Sequence, residues 1–137
     1  MNNSSDDLKR EQAIKQFDAG QYLKQLRGEK SLAKVCKLLK ITPAHLSEIE
    51  RGRMPSDSLI SALANVYEVN EDDLFLLWGK IPTLTKRELL NRCSLQDMLT
   101  DITHNHDLTD TEKDELYGKL YEMYRNFMEN KLSKEMP

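Results

Sequence analysis

Glycine and proline are scarce in this chain, five and four among 137 residues, and valine and isoleucine together number nine against 21 leucines. So few β-branched and turn-forming residues argue against a sheet, while leucine favours helices. An all-α chain is expected. Cysteine is nearly missing too: Cys36 and Cys93 lie far apart without CxxC spacing, so a disulfide framework is excluded and two reduced thiols are expected. Both fall on apolar stripes, which favours packing over a redox role. The longest apolar run, Leu74 to Trp78, is five residues, far short of the ~20 that span a bilayer. The opening Met-Asn-Asn-Ser-Ser-Asp-Asp is polar and acidic and does not read as a secretory signal. A cytoplasmic protein with no membrane partner is expected. The sequence has no glycine-rich phosphate loop and no nucleophile with a placed base. His104-Asn105-His106 with Cys93 is a poor metal set, because His-x-His on a helix end turns its rings to different faces and no fourth ligand is evident. No catalytic residue, metal or cofactor is therefore expected, and the chain does not read as an enzyme.

What the chain does have is charge, 20 basic and 23 acidic side chains for a net −3, unevenly placed. Residues 21–53 carry a balance of +5, from Lys24, Arg27, Lys30, Lys34, Lys37, Lys40, Arg51 and Arg53 against Glu29, Glu48 and Glu50. Residues 54–80 swing to −4. A basic stretch inside an acidic protein is either one face built for a polyanion or a solvated helical face, and charge alone does not separate them.

Apolar spacing and cap residues predict five short helices between Asp18 and Gly79. Leu23 and Leu26 mark the first, punctuated by Gly28. Ser31 is an N-cap for a second whose stripe is Leu32, Val35, Cys36 and Leu39. Thr42-Pro43 reads as N-cap plus first-turn proline of a third, with Leu46 and Ile49 inward and Gly52 ending it in a left-handed conformation. Pro55-Ser56 opens a fourth with Ile60, Leu63, Ala64 and Tyr67 on one face. Asn70 caps a fifth that carries Leu74, Phe75 and Trp78.

Helices two and three, joined by Lys40-Ile41-Thr42, make a helix-turn-helix candidate. The run from Leu26 to Arg53, above all Leu46-Ser47-Glu48-Ile49-Glu50-Arg51-Gly52, resembles the Cro/C1-type helix-turn-helix (XRE) family. The resemblance continues through Met54-Pro-Ser, Leu63-Ala64, Tyr67-Glu-Val and Asp73-Leu-Phe, and covers about 60 residues from Gly20 to Gly79. It implies a five-helix lambda-repressor-like domain over residues 18–80 whose third helix, about 43–51, enters the major groove of double-stranded DNA. Pro43 and Ala44 would then meet thymine methyls. His45, Ser47 and Glu48 are base-contact candidates, Glu48 as an acceptor from a cytosine amino group. Arg51, Arg53, Lys34, Ser31 and the Thr42 cap would hold phosphates. The resemblance also implies that Arg27 pairs with Glu50; the alternative, left open by a linker about two residues shorter than in the phage repressors, is an independent, solvated Arg27. Leu32 stands where many members carry a phosphate-contacting glutamine, and Cys36 where alanine is usual.

Residues 1–17 are read as an N-terminal extension and 83–137 as a C-terminal helical region. There, Thr85-x-x-Glu88 and Thr109-x-x-Glu112 are capping-box patterns framing a helix over about 86–103 and a longer one over about 110–134; a break of the first near Arg92 is the alternative, since Ser94-x-x-Asp97 also reads as a start. The hairpin so formed carries Leu116, Leu120, Met123, Tyr124 and Phe127, more apolar surface than a thin partner covers, so homodimerisation is expected over packing within the chain. The functional expectation is a sequence-specific DNA-binding transcriptional regulator, a repressor on a palindromic operator. The alternative is an antitoxin-like or antirepressor-controlled interaction module that takes a protein or peptide effector and uses DNA binding for autoregulation.

Overall fold

The computed structural model describes residues 3–135, with side chains from residue 5, and among them there are helices, turns and irregular chain but no strand. Eight helices follow in order: α1 Asn3–Arg27, α2 Leu32–Leu39, α3 Pro43–Glu50, α4 Asp57–Tyr67, α5 Glu71–Leu77, α6 Thr83–Asn91, α7 Cys93–His104 and α8 Asp110–Glu135. The chain is all-α, as its composition predicts. It divides into two units, one ending at Glu88 and one beginning at Leu89.

Local chemistry sets the helix boundaries in the first unit. The side chains of Ser31, Thr42, Ser56 and Asn70 each accept a hydrogen bond from the backbone N–H three residues on, at 2.9–3.2 Å, so α2 to α5 all begin on a side-chain cap. Pro43 occupies the first turn of α3, where its missing N–H costs nothing. These same four helices end alike. The N–H groups of Ile41, Arg53, Val69 and Lys80 reach back to the carbonyls of Cys36, Glu48, Ala64 and Phe75 at 2.9–3.1 Å, closing Schellman turns around Lys40, Gly52, Glu68 and Gly79. Those four residues have positive φ, 58°, 113°, 55° and 74°. Lys40 and Glu68 adopt it without being glycine, which explains why turn residues alone do not locate the ends of α2 and α4.

Between these caps one core forms. Leu23, Leu46, Ile49, Ile60, Leu63, Phe75 and Trp78 are buried to 1% exposure or less, and the expected stripe of α2 supplies Val35, Cys36 and Leu39. α1 packs on α3 and α5, α2 on α3 and α4, and α4 on α5. Burying a leucine-sized side chain is worth roughly 1.5–3 kcal/mol, so this core holds the unit. Lys80, just past α5, ties it to the start of α4 by donating to the Pro55 carbonyl at 2.9 Å and to Asp57 at 2.7 Å.

α1 starts well before Asp18, within the expectation of a first helix beginning near Asp18 or earlier. Of the extension read over residues 1–17, residues 1 and 2 lie outside the described residues, and Asn3 onward is continuous with α1.

Beyond α5 the helical segment breaks at Arg92, the alternative the sequence leaves open, giving α6 and α7 in place of one helix. Gln96 of α7 closes the break, its amide donating to the Leu89 carbonyl at 2.9 Å. Thr85 is not the N-cap its pattern suggests, because α6 already starts at Thr83 with the Lys86 N–H bonded to the Pro82 carbonyl. The Thr109 box forms in both directions: the Glu112 N–H donates to the Thr109 hydroxyl at 3.1 Å, and the Thr109 N–H to the Glu112 carboxylate at 3.0 Å. Of the residues read as a C-terminal region over 83–137, residues 136 and 137 lie outside the described ones. No described helix is long and apolar enough to cross a membrane.

Candidate nucleic-acid interface

α3 is an eight-residue helix with two unlike faces. Leu46, Ile49 and Glu50 are buried, Pro43, Ala44 and Arg51 are exposed, and His45, Ser47 and Glu48 are half-buried. The 3.6-residue period therefore gives the polar residues and the first-turn Pro-Ala to one outer surface.

α1 holds α3 from behind. A Cβ built on Gly20 would stand 2.7 Å from the carbonyl oxygens of both Ile49 and Glu50, so only glycine lets the two backbones meet there. Gln21 donates to the Glu50 carbonyl at 3.3 Å. Past the end of α3, Gly52 would meet the Phe17 Cα at 3.2 Å if it carried a Cβ. Sequence reading missed these approaches; Gly20 inside an otherwise helical run is the signal that marks the first.

Arg27 and Glu50 lock the same end of α3. Arg27 donates from Nε to Glu50 Oε2 at 2.7 Å and from Nη2 to Oε1 at 3.1 Å, while Nη1 reaches the Lys30 carbonyl at 2.7 Å. The side chains are only 14% and 6% exposed, so the geometry is the bidentate fork that arginine alone provides. The hydrogen bond to Glu50 holds Arg27 protonated more firmly than usual. Burial, then the Glu50 charge, pushes the Tyr67 hydroxyl up to about 12 and raises the Cys36 thiol. Cys36 is thus a neutral packing group, unreactive as a nucleophile. Cys93, expected on an apolar stripe, is instead exposed, because α7 starts there and its first turn lies on the surface.

The phosphate-contact candidates occupy helix ends. Ser31 and Lys34 share the first turn of α2, where the Ser31 hydroxyl accepts the Lys34 N–H at 3.2 Å, and both are exposed. Thr42 plays the same part for α3 through the His45 N–H at 3.1 Å. Arg51 is exposed at the end of α3. Arg53 and Glu48 are brought together: the Arg53 guanidinium donates to the Glu48 carboxylate and its N–H to the Glu48 carbonyl. Two residues read separately from the sequence are therefore one ion pair.

A helix-turn-helix domain family matches residues 18–77. Residues 18–77 form a helix-turn-helix domain of the Cro/C1 kind. No curated protein and no solved structure shows significant similarity to the chain. The helix-turn-helix domain thus comprises the last part of α1 and all of α2 to α5, with α2 and α3 as its two central helices. DNA binding by a regulator is what a domain of this family suggests.

The residues proposed for dimerisation lie in the second unit, on α8, which has no buried residue. Leu116 and Leu120 are half-buried; Met123, Tyr124 and Phe127 are 67%, 57% and 67% exposed. His104, His106 and Cys93 are all exposed, and among the described residues no three His, Cys, Asp or Glu side chains are grouped to hold a metal.

Proposed function

We propose that this protein is a sequence-specific transcriptional regulator of double-stranded DNA, a repressor that binds a palindromic operator as a homodimer. The observation that carries the reading is the outer face of α3 within the helix-turn-helix domain. Pro43 and Ala44 stand exposed in its first turn, Arg51 at its end, and α1 fixes its back by backbone contact at Gly20. In this reading α3 enters the major groove, Pro43 and Ala44 touch thymine methyls, and His45, Ser47 and Glu48 face base edges. Lys34, Arg51 and Arg53 hold phosphates, joined by the N-terminal N–H groups of α2 and α3 behind Ser31 and Thr42. The boundaries proposed are 18–80 for DNA binding and 83–137 for dimerisation, in a cytoplasmic protein.

Binding to duplex DNA, followed by fluorescence anisotropy over a salt series, tests the face. Arg51→Ala and Lys34→Ala should weaken binding to every sequence and reduce the salt slope by about one each. His45→Ala should change the preference among sequences. Intact binding by the Arg51 and Lys34 variants on all duplexes contradicts the assignment.

The homodimer rests on α8. Leu116, Leu120, Met123 and Phe127 recur at spacings of four, three and four, and Tyr117, Tyr121, Tyr124 and Met128 repeat them beside the first row. Alternation of four- and three-residue steps is the pattern of a helix packed along another helix. Tyr117, Tyr121, Met123, Tyr124 and Phe127 are 37–67% exposed, on the order of 500 Å² of side chain against the ~800 Å² each partner of a stable complex buries. A second copy both covers the rows and places two α3 helices on one operator, about one DNA turn apart. Met123→Glu and Phe127→Glu cost folding little at such exposed positions, so sedimentation should show them monomeric where the native chain is dimeric. If they leave the oligomer unchanged, the rows belong to a different protein, the antitoxin-like arrangement.

A further inference from the structure

We infer that Glu48 acts through Arg53 as a selectivity device: it withholds the arginine from DNA phosphates unless the sequence also supplies a partner for the Glu48 carboxylate. The inference rests on the proposed reading of α3 and adds a role to a residue read only as a base contact. Its basis is the ion pair at the end of α3. Arg53 is bound to Glu48 twice, through its guanidinium to the carboxylate and through its N–H to the carbonyl at 3.0 Å. The Schellman turn at Gly52, with φ 113°, aims the chain back along α3 and so fixes the second bond. Both side chains remain accessible, 59% and 45% exposed, so the pair contributes little stability and its partners can exchange.

Carboxylate and phosphate form charge-assisted hydrogen bonds of similar strength with a guanidinium. Moving Arg53 from Glu48 to a phosphate is therefore close to an even exchange for the arginine. Glu48 is the partner that loses, because its carboxylate is left unpaired among phosphates. A cytosine or adenine amino group in the major groove satisfies it, whereas a keto edge does not. Sequences offering the amino group engage both residues, and the rest engage neither without repulsion. Specificity then arises largely by penalising wrong sites. Arg51 has no such carboxylate partner among the described ion pairs and supplies its charge to any sequence. Glu48 is accordingly a positioning and discriminating residue, Arg53 a conditional phosphate ligand.

The test uses the full chain, a random-sequence duplex and a duplex selected by the native protein, with anisotropy measured from low to high salt. E48Q keeps the shape of Glu48 and removes its charge. It should bind the random duplex roughly five- to tenfold more tightly at low salt, with a salt slope steeper by about one, and lose preference for the selected duplex. In an R53Q background the same change should gain clearly less affinity and leave the slope nearly unaltered, because only the repulsion between the carboxylate and the phosphates is then relieved. E48Q with native affinity and slope on random DNA overturns the inference, and so does an equal gain in the R53Q background, which would reduce Glu48 to a general repulsive charge. Failure of the native chain to bind any duplex at low salt is a different result: it removes the DNA-binding reading and this inference with it.

Discussion

The unit ending at Glu88 buries apolar side chains from all of α1 to α5, whereas from Leu89 onward Ile102 is the one buried residue among those described. Both regions are helical, yet they are stabilised differently. In the first, caps merely place boundaries and the core supplies the energy. In the second, α8 runs 26 residues without a buried one and carries local devices, the Thr109–Glu112 box and a Glu115–Lys119 pair at 3.3 Å. Such devices are each worth a few tenths of a kcal/mol to about 1 kcal/mol, whereas most helical stability in proteins comes from packing of an apolar face. The difference separates a unit with its own core from one whose α8 leaves its apolar rows largely exposed.

The largest expected effect lies at Gly20. Gly20→Val should cost about 4 kcal/mol in urea unfolding, because its Cβ meets two backbone carbonyls that cannot move independently of α3. Next comes the Arg27–Glu50 pair. Glu50→Ala should destabilise by about 3 kcal/mol through the stranded arginine, and the double variant should cost well below the sum of the singles. Strict additivity would show that the pair does not hold α3 in solution. In the second unit the expected signature is concentration dependence. The thermal midpoint of the native chain should rise with protein concentration, and that dependence should vanish in Phe127→Glu.

Gly118 gives the sharpest contrast with Gly20. No atom beyond the adjoining residues and the nearby backbone of α8 itself lies within 4 Å of a Cβ built there, so Gly118→Ala should stabilise α8 by about 0.5–1 kcal/mol through backbone entropy. Equal signs at Gly20 and Gly118 would erase the distinction between the two regions. The smallest effects are with pH. The hydrogen bond from Lys80 holds Asp57 below its usual range, and bonds with Thr109 do the same for Glu112. A carboxyl lowered in the folded state contributes stability above its unfolded pKa, near 3.8 for Asp57 and 4.5 for Glu112, and loses it as pH falls through the folded value. Asp57→Asn and Glu112→Gln should each slightly lower the thermal midpoint at neutral pH and flatten its decline under acid.

The parts of the fold legible in the sequence were those governed by one residue and its near neighbours. Ser31, Thr42, Ser56 and Asn70 mark helix starts because a cap acts over three residues, and the α2 stripe is visible because burial follows the helical period. Lys40 and Glu68 were not legible as helix ends, since no local preference places a lysine or glutamate at positive φ; the packing of the following Ile41 and Val69 accompanies it. At the candidate interface, residue identity and face were readable, but pairing was not. Glu48 and Arg53 lie five apart, off the three- and four-residue spacing of helix pairs, and meet only because Gly52 reverses the chain. The Gly20 approach is likewise a property of two helices, of which the sequence displays one glycine.

The central claim, that α3 reads duplex DNA in a paired arrangement, is tested most directly by selecting bound sequences from a random duplex library with the full-length chain. The account predicts an enriched motif with two inverted half-sites whose centres lie about 10 base pairs apart, or a multiple of that, and loss of enrichment with Arg51→Ala. Recovery of no motif, or of one unaffected by Arg51→Ala and without inverted symmetry, would contradict it.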